Sequence, residues 1–286
     1  MYRTSFKLIT VALLAFLPVD AARAAAYYVE PVNGSDTNPG TIDQPWQTIQ
    51  RALKHGWPIQ FRQPGDIVYL RGGIYRGTSQ AIDVNGEVSV VSGTKAAPIT
   101  IKAYPGETPI VCDMANPTRG VIIKNLSWWV FDGITYKNCY QSVWMENCTH
   151  FVWQNCTFGE MPAGDSGYAN LLFWGASQYN IVRNCTFTHW GRVTNGYNDH
   201  GVSISIGDEV SDVPMWYNLI ENNRFLYAGH DHFQLNTAYN VIRGNLFVNA
   251  PWMPAPATGN VLASLGGEPQ EPNPYEIGRA SCRERV

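Results

Sequence analysis

The sequence predicts an all-β protein built as a parallel β-solenoid, and three observations support this class. The chain has 286 residues, of which 45% are hydrophobic and 15% charged, so it has enough apolar side chains for a large core. It contains 26 glycines and 18 prolines, a content that long helices tolerate poorly. A strand-like segment also recurs five times between residues 129 and 247, as is typical of a solenoid.

The repeated segments align on columns that predict the shape of each rung. One column, with spacings of 22, 29, 38 and 22 residues, holds Gly133, Asn155, Asn184, Asn222 and Gly244. Such residues tolerate a left-handed bend, where stacked amides can hydrogen-bond. Three positions after the Asn/Gly column every repeat has an aromatic residue: Tyr136, Phe158, Phe187, Phe225 and Phe247. Two positions before that column every repeat has a hydrophobic residue: Phe131, Trp153, Val182, Ile220 and Ile242. These two columns are expected to stack inside, about 4.8 Å apart.

Other elements follow from the same alignment. A mixed-charge column is expected to face solvent: Asp132, Gln154, Arg183, Glu221 and Arg243. A second strand is predicted before each repeat, at 121–123, 142–145, 171–174, 202–206 and 233–235. Ahead of the repeats, Asp43 suits a helix N-cap, Pro45 suits the first turn, and Trp46, Ile49 and Leu53 form one apolar stripe. A short helix is therefore predicted to cover apolar surface there.

Both termini are set apart from the solenoid. Residues 1–26 are predicted to be a secretory signal peptide, since a basic start precedes an apolar run and small residues, with cleavage near Ala24 or Ala26. The solenoid is assigned to residues 27–276, with further rungs expected to be missing at its C-terminal end. Residues 277–286 are interpreted as a non-native tail. The protein is expected to be secreted or periplasmic and monomeric, with no membrane span.

The net charge of −3 argues against nucleic acid as a partner, because that partner requires a basic face. An acidic polysaccharide would need a local basic patch or a bridging cation. The inserted segments 161–168 and 189–201 leave the same side of successive rungs, and loops on a rigid scaffold are common places for a site.

The candidate catalytic residues precede two neighbouring second strands. Asp199 and His200 come before one strand, and His230, Asp231 and His232 come before the next, so stacking is expected to bring them within a few ångströms. A histidine can accept or donate a proton near neutral pH. The same Asp-His-Gly pattern is also ordinary turn chemistry, and three histidines with two aspartates could alternatively bind a transition metal.

Further residues complete this hypothesis. Arg192 could neutralise a uronate carboxylate, while the carboxylates of Asp165, Asp199 and Asp231 could orient a histidine or bind Ca²⁺ through oxygen ligands. Three aromatic residues in or beside the inserted segments could stack on sugar rings: Trp190, Tyr197 and Trp252.

Cys156 and Cys185 share a column on neighbouring rungs, so they could form a disulfide or remain as buried free thiols. The Asn-Cys-Thr sequences that match the glycosylation pattern fall on the bends and are interpreted as structural.

The opening of the chain and its rungs resemble one known group. The segment Tyr27 to Gly40, the tripeptide Gln44-Pro-Trp46 and the segment Gly65 to Tyr75 are similar to secreted right-handed parallel β-helix proteins, over roughly residues 27–251. These are polysaccharide lyases of the pectate lyase, alginate lyase and chondroitinase B type. The resemblance implies a helix at 45–55 that caps the N-terminal end of the solenoid. It also implies β-elimination on uronic-acid chains, often with Ca²⁺.

One feature departs from that group. Pectate lyases with this opening use a lysine as base in the later rungs, and this chain has no lysine after Lys137. The lyase hypothesis therefore takes His200 or His232 as base. Two alternatives stay open. The first is a polygalacturonase-like glycoside hydrolase, although the adjacent pair of aspartates is missing. The second is a non-catalytic carbohydrate-binding solenoid.

Overall fold

The structure is a computed structural model. It describes residues 24–55, 60–61, 63–77, 80, 82–84, 91–112, 119–159, 169–190, 192–194, 197–200, 202–206, 215–228, 231–235, 237, 239–248 and 261–265.

Three parallel sheets form the walls of a solenoid, and each turn of the chain adds one strand to each sheet. Sheet 1 has eight strands: Ala26–Val29, Ile67–Leu70, Ile99–Ala103, Trp129–Asp132, Val152–Gln154, Ile181–Arg183, Leu219–Glu221 and Val241–Arg243. Sheet 2 has seven: Gly73–Tyr75, Pro109–Cys112, Thr135–Lys137, Thr157–Gly159, Thr186–Trp190, Arg224–Ala228 and Leu246–Val248. Sheet 3 has seven: Ile82–Val84, Arg119–Lys124, Gln141–Glu146, Ala169–Trp174, Val202–Ile206, Asp231–Leu235 and Val261–Leu265. The predicted parallel β-helix is confirmed.

The core consists of the columns that the alignment predicted. The rings of the aromatic column stack with centroids 5.2, 4.8, 4.8 and 5.1 Å apart from Tyr136 to Phe247. The register of sheet 1 likewise places Phe131 beside Trp153, and Trp153 beside Val182. Because every inward side chain meets its counterpart one rung away, burial of apolar surface extends continuously along the solenoid.

The Asn/Gly column forms the bend between sheets 1 and 2. All five residues are left-handed, with φ between 53° and 73°. The amide ladders lie elsewhere, however. One runs through Asn180, Asn218 and Asn240 before the strands of sheet 1, and another joins Asn223 to Asn245 one position after the bend. At those positions the amides face inward and can satisfy buried backbone groups, which an outward bend position cannot do.

The side chains of the mixed-charge column on sheet 1 pair across rungs, which the sequence analysis did not predict. Gln154 Nε2 donates to Asp132 Oδ2 at 3.0 Å, and Arg183 Nη2 donates to Gln154 Oε1 at 2.7 Å. Arg243 Nη2 lies 2.7 Å from Glu221 Oε2. This face of the solenoid is therefore a surface of polar and charged pairs.

The N-terminal helix is shorter than predicted, spanning Ile49–Leu53, and Ile49, Ala52 and Leu53 are buried. The prediction that Asp43 caps it is wrong. Thr48 is the N-cap, since its Oγ1 accepts a 3.1 Å hydrogen bond from Arg51 N. Asp36, brought close by the preceding turn, holds Thr48 in place by accepting from its N and Oγ1 at 2.9 and 2.8 Å.

Cysteine chemistry also differs in part from the sequence expectations. Cys156 and Cys185 are free and buried, which agrees with the thiol alternative. The disulfide joins Cys112 and Cys139, with Cα atoms 5.3 Å apart, and the sequence analysis did not identify this pair. No helix among the described residues is long and apolar enough to cross a membrane.

Candidate functional site

The side chains of sheet 3 face both inward and outward, and two register columns show which. Ser142, Asn170, Ser203 and His232 share one column. This column faces the aromatic core column, because a Cβ at Gly120 in it would meet Tyr136 and the ring of His232 lies 5.8 Å from that of Phe225. The column of Trp144, Leu172, Ser205 and Gln234 faces outward, since Val143 and Met145 on either side of Trp144 point into the core. Leu172 and Ser205 are nevertheless at most 5% exposed, so this part of the outward face is covered.

Three polar atoms of the outward column have no hydrogen-bond partner within the described part of the chain: Trp144 Nε1, Ser205 Oγ and Gln234 Oε1. Ser142 Oγ and both amide atoms of Asn170 are also unpaired there, but they belong to the inward column. Leaving a buried polar group unpaired costs about 1–3 kcal/mol, so native proteins seldom keep several in a row without a function. The row follows the solenoid axis, because Trp144, Ser205 and Gln234 share one register column. Such a row suits a polar, elongated ligand or the water that it displaces.

A hairpin at the edge of this face carries four of the predicted site residues. Strand Arg192–Thr194 pairs antiparallel with Tyr197–His200, and the register sets Arg192 opposite His200 and Thr194 opposite Tyr197. The second strand leads directly to Val202–Ile206 of sheet 3. The sequence analysis treated this segment as a loop, although Asn195-Gly196 between the two strands is the dipeptide that most strongly signals a hairpin.

The register of sheet 3 brings the two predicted catalytic stretches to the same edge. Ile204 pairs with Phe233, and counting back two positions sets residue 202 beside Asp231. The backbone of Asp199 and His200 thus ends one strand while Asp231 begins the strand on the next rung.

Among the predicted bases, only His232 has a described side chain, and it is 3% exposed. Its ring lies 5.8 Å from that of Phe225 and 5.6 Å from that of Phe247, at the margin of the aromatic core column.

The remaining predicted site residues are placed less completely. Trp190 ends the strand Thr186–Trp190 of sheet 2, where it pairs with Ala228. Asp165, His230 and Trp252 lie outside the described residues. Among the residues that the structure describes, no group of three His, Cys, Asp or Glu side chains comes together. The side chains of Asp199 and Asp231 lie outside the described part of the structure.

A basic and aromatic group on the same face was missed by the sequence analysis. The guanidinium carbon of Arg119 lies 4.5 Å from the ring centroid of Trp144, and Lys124 Nζ lies 5.7 Å from it. The ring of Trp174, on the next rung, is 6.2 Å away. The available signal was the position of Trp144 and Trp174, which alternate with inward residues of predicted strands and so had to face outward.

The stacked parallel sheets place the protein among the parallel β-helix proteins, and the comparisons define the group further. A family model described as "Pel9A-like, right handed beta helix region" matches residues 27–224. The chain therefore belongs to the Pel9A-like family of right-handed β-helix proteins.

Individual relatives agree with this assignment. The chain is 31% identical to pectate lyase PEL9 of Emericella nidulans over 294 aligned residues, which cover 92% of this chain and 67% of the relative. The solved structure of pectate lyase Pel9A matches with a TM-score of 0.56 and 20% identity, over 82% of this chain and 57% of the other. An alginate lyase from Paenibacillus sp. strain FPU-7 matches with a TM-score of 0.55 and 19% identity, over 70% and 63%. The chain thus spans 57% to 67% of the length of these relatives.

Proposed function

We propose that this protein is a secreted polysaccharide lyase that cleaves uronate-containing polysaccharide by β-elimination, with pectate as its first candidate substrate. The observation that carries the proposal is the match along 92% of the chain to a protein named pectate lyase. The buried polar row on sheet 3 supports it, because a polysaccharide is an elongated polar ligand.

The proposed reaction needs a base and a group that stabilises negative charge. The base removes the proton next to the uronate carboxylate, the electron pair forms a double bond in the sugar, and the bond to the leaving glycosidic oxygen breaks. The leaving oxygen then takes up a proton. In our proposal His200 is the base, since an imidazole titrates near neutral pH. Arg192, opposite His200 in the hairpin, stabilises the charge that develops on the carboxylate.

His200 is preferred to His232 because His232 is 3% exposed and lies against Phe225 and Phe247. His232 belongs to the inward column and faces the aromatic core, whereas a polymer binds on the outward face. We assign orienting roles to Asp199 and Asp231, and propose His230 as a second candidate proton donor.

Two further parts of the proposal concern ligands. Ca²⁺ is proposed to be held by Asp165, Asp199 and Asp231, and the chemistry that it supplies when bound is neutralisation of the uronate carboxylate. Trp190, Tyr197 and Trp252 are proposed to contact sugar rings through their apolar faces.

Export is proposed to remove the leader between Ala24 and Ala25. Two contacts favour this bond over the one after Ala26: Ala25 N donates to Asp66 Oδ1 at 2.9 Å, and Ala25 O accepts from Ile67 N at 2.8 Å. Cleavage there leaves Ala25 in the fold and places its new ammonium group beside a carboxylate that is 3% exposed.

The test is incubation of the purified protein with polygalacturonate, alginate and glycosaminoglycan, with and without added Ca²⁺. A lyase produces an unsaturated uronide that absorbs ultraviolet light, and this product is expected first from polygalacturonate. New reducing ends without that absorbance would identify a hydrolase instead. Binding without any cleavage would identify a non-catalytic solenoid. Either of these two results contradicts the proposal.

A further inference from the structure

Arg119 is held in a fixed orientation on the covered face of sheet 3. Its guanidinium lies over Trp144 at 4.5 Å, and its Nε donates a 3.0 Å hydrogen bond to Gln141 Oε1. Gln141 is 2% exposed and is the register partner of Arg119 on the next rung. Stacking fixes the plane of the guanidinium and the hydrogen bond fixes its rotation, so the terminal N–H groups are pre-oriented.

This guanidinium has no carboxylate partner among the described residues. The neighbouring cation differs, because Lys124 Nζ lies 2.6 Å from Glu146 Oε2. Elsewhere in the chain the stacked Arg71, which lies 4.7 Å from the ring centroid of Tyr104, is also neutralised, by Glu107 at 2.8 Å. Arg119 is thus a stacked arginine whose terminal donors are available to an anion.

Neutral polar groups continue from this position along the outward column of sheet 3. Trp144 Nε1 is buried and unpaired among the described residues, and so are Ser205 Oγ and Gln234 Oε1 on later rungs. A carboxylate accepts a bidentate pair of hydrogen bonds from arginine, while sugar hydroxyls can bond to an indole N–H, a hydroxyl or an amide. The chemistry of the group therefore matches an acidic sugar rather than a simple anion.

We propose that Arg119 and Trp144 form a binding subsite for a uronate residue of the polymer. Trp144 and Ser205 are two rungs apart, about 10 Å along the axis, and Ser205 lies on the strand Val202–Ile206 that follows the hairpin. One chain bound at this subsite can therefore extend to the rung that carries the hairpin. The inference rests on the proposed function for the identity of the polymer. The subsite holds substrate away from the reacting atoms, so its loss should affect binding and leave the chemical step unchanged.

The experiment measures binding by affinity electrophoresis in gels that contain polygalacturonate or its methyl-esterified form, and it measures KM and kcat by steady-state kinetics. Arg119→Gln is expected to weaken binding to polygalacturonate about tenfold and to raise KM with kcat unchanged. It should leave binding to the esterified polymer unaltered, because the carboxylates are then neutral. Trp144→Phe is expected to weaken binding to both polymers. Arg243→Gln, which removes an exposed arginine on sheet 1, is the matched control and should behave as the wild type.

Folding is checked by thermal denaturation, and Arg119→Lys serves as a second variant that keeps the charge but loses the planar fork. If the folded Arg119→Gln protein binds polygalacturonate as tightly as the wild type does, the proposed subsite is refuted, even if the protein is a lyase. If the wild type makes no unsaturated product but Arg119→Gln still lowers binding to polygalacturonate alone, the proposed reaction fails and the subsite stands.

Discussion

The side-chain Nδ2 of Asn180 donates a 3.0 Å hydrogen bond to Oδ1 of Asn218 inside the solenoid. Asn218 donates in turn to Oδ1 of Asn240 at 3.0 Å, so one ladder of amides spans three rungs. The same oxygens accept from backbone N–H groups at 2.9 Å. The ladder therefore satisfies buried polar groups of the backbone at the corner where each strand of sheet 1 begins.

Asn218→Ala is expected to lower the free energy of unfolding by about 3 kcal/mol, because it leaves several buried partners on Asn180, Ser177 and Met215 unpaired. Denaturant titration measures this loss. The control is the exposed Asn33, whose Nδ2 donates to Glu30 Oε1 at 2.8 Å. Asn33→Ala should change the free energy of unfolding by less than about 0.5 kcal/mol. Equal effects of the two substitutions would contradict the role of the ladder.

The disulfide between Cys112 and Cys139 is expected to stabilise the N-terminal rungs. Replacing both cysteines with serine should lower the free energy of unfolding by about 2–4 kcal/mol, since the bond closes a loop in the unfolded chain. Reductant should destabilise the wild type by a similar amount and leave the double variant unchanged.

The thiol of Cys185 should not react with thiol reagents in the native state, because burial raises its pKa.

His150 is expected to make stability depend on pH. Its ring is stacked between those of Trp128 and Tyr179, at 4.0 and 5.2 Å, and burial, aided by the charge of Lys95, lowers its pKa. The unfolded chain therefore binds the proton more readily than the folded one. The contribution of His150 is full above about pH 6.5 and is lost as the pH falls toward its lower folded pKa. Unfolding curves of the wild type and His150→Phe, compared at several pH values, should diverge below this point. Parallel curves would contradict the prediction.

The exported protein is expected to begin at Ala25, as N-terminal sequencing or intact mass would show. Asp66→Asn should destabilise this form, because the carboxylate that faces the new ammonium group is removed. A variant with one glycine placed before Ala25 keeps the amide hydrogen bond to Asp66 but moves the ammonium charge away, so Asp66→Asn should affect it less. A mature protein that begins at Tyr27 would refute the cleavage site.

Much of the fold could be predicted because one rung repeats. The column from Tyr136 to Phe247 and the bends at Asn155 and Asn184 depend on residues at fixed spacing, which the alignment of rungs shows directly. Features that occur once were missed. The partner of Cys112 is 27 residues away, and no column links them.

A second left-handed column was also missed, because bulky aromatic residues rarely adopt that conformation. Trp128, His150, Tyr179, Tyr217 and Tyr239 all have φ between 57° and 63° at the bend between sheets 3 and 1. Stacking of the rings along the rungs offsets the local strain, and propensity alone does not reveal such contacts.

The site was predictable only in outline. The order of residues predicted that Asp199, His200 and Asp231 precede neighbouring strands. Asp231 is instead the first residue of the strand Asp231–Leu235, and the register sets residue 202 beside it. The pairing of Arg192 with His200 required recognition of the hairpin, and the contact of Arg119 with Trp144 required knowledge of how one rung lies on the next.

The central claim is that the hairpin edge of sheet 3 performs uronate elimination, and one comparison tests it most directly. The rate of appearance of unsaturated uronide from polygalacturonate is measured for the wild type, His200→Ala and His232→Ala, each shown to be folded. Loss of a general base typically lowers the rate by about 10²–10⁴-fold, and we predict such a loss for His200→Ala with a smaller effect for His232→Ala. An undiminished rate in the folded His200→Ala protein would contradict the account.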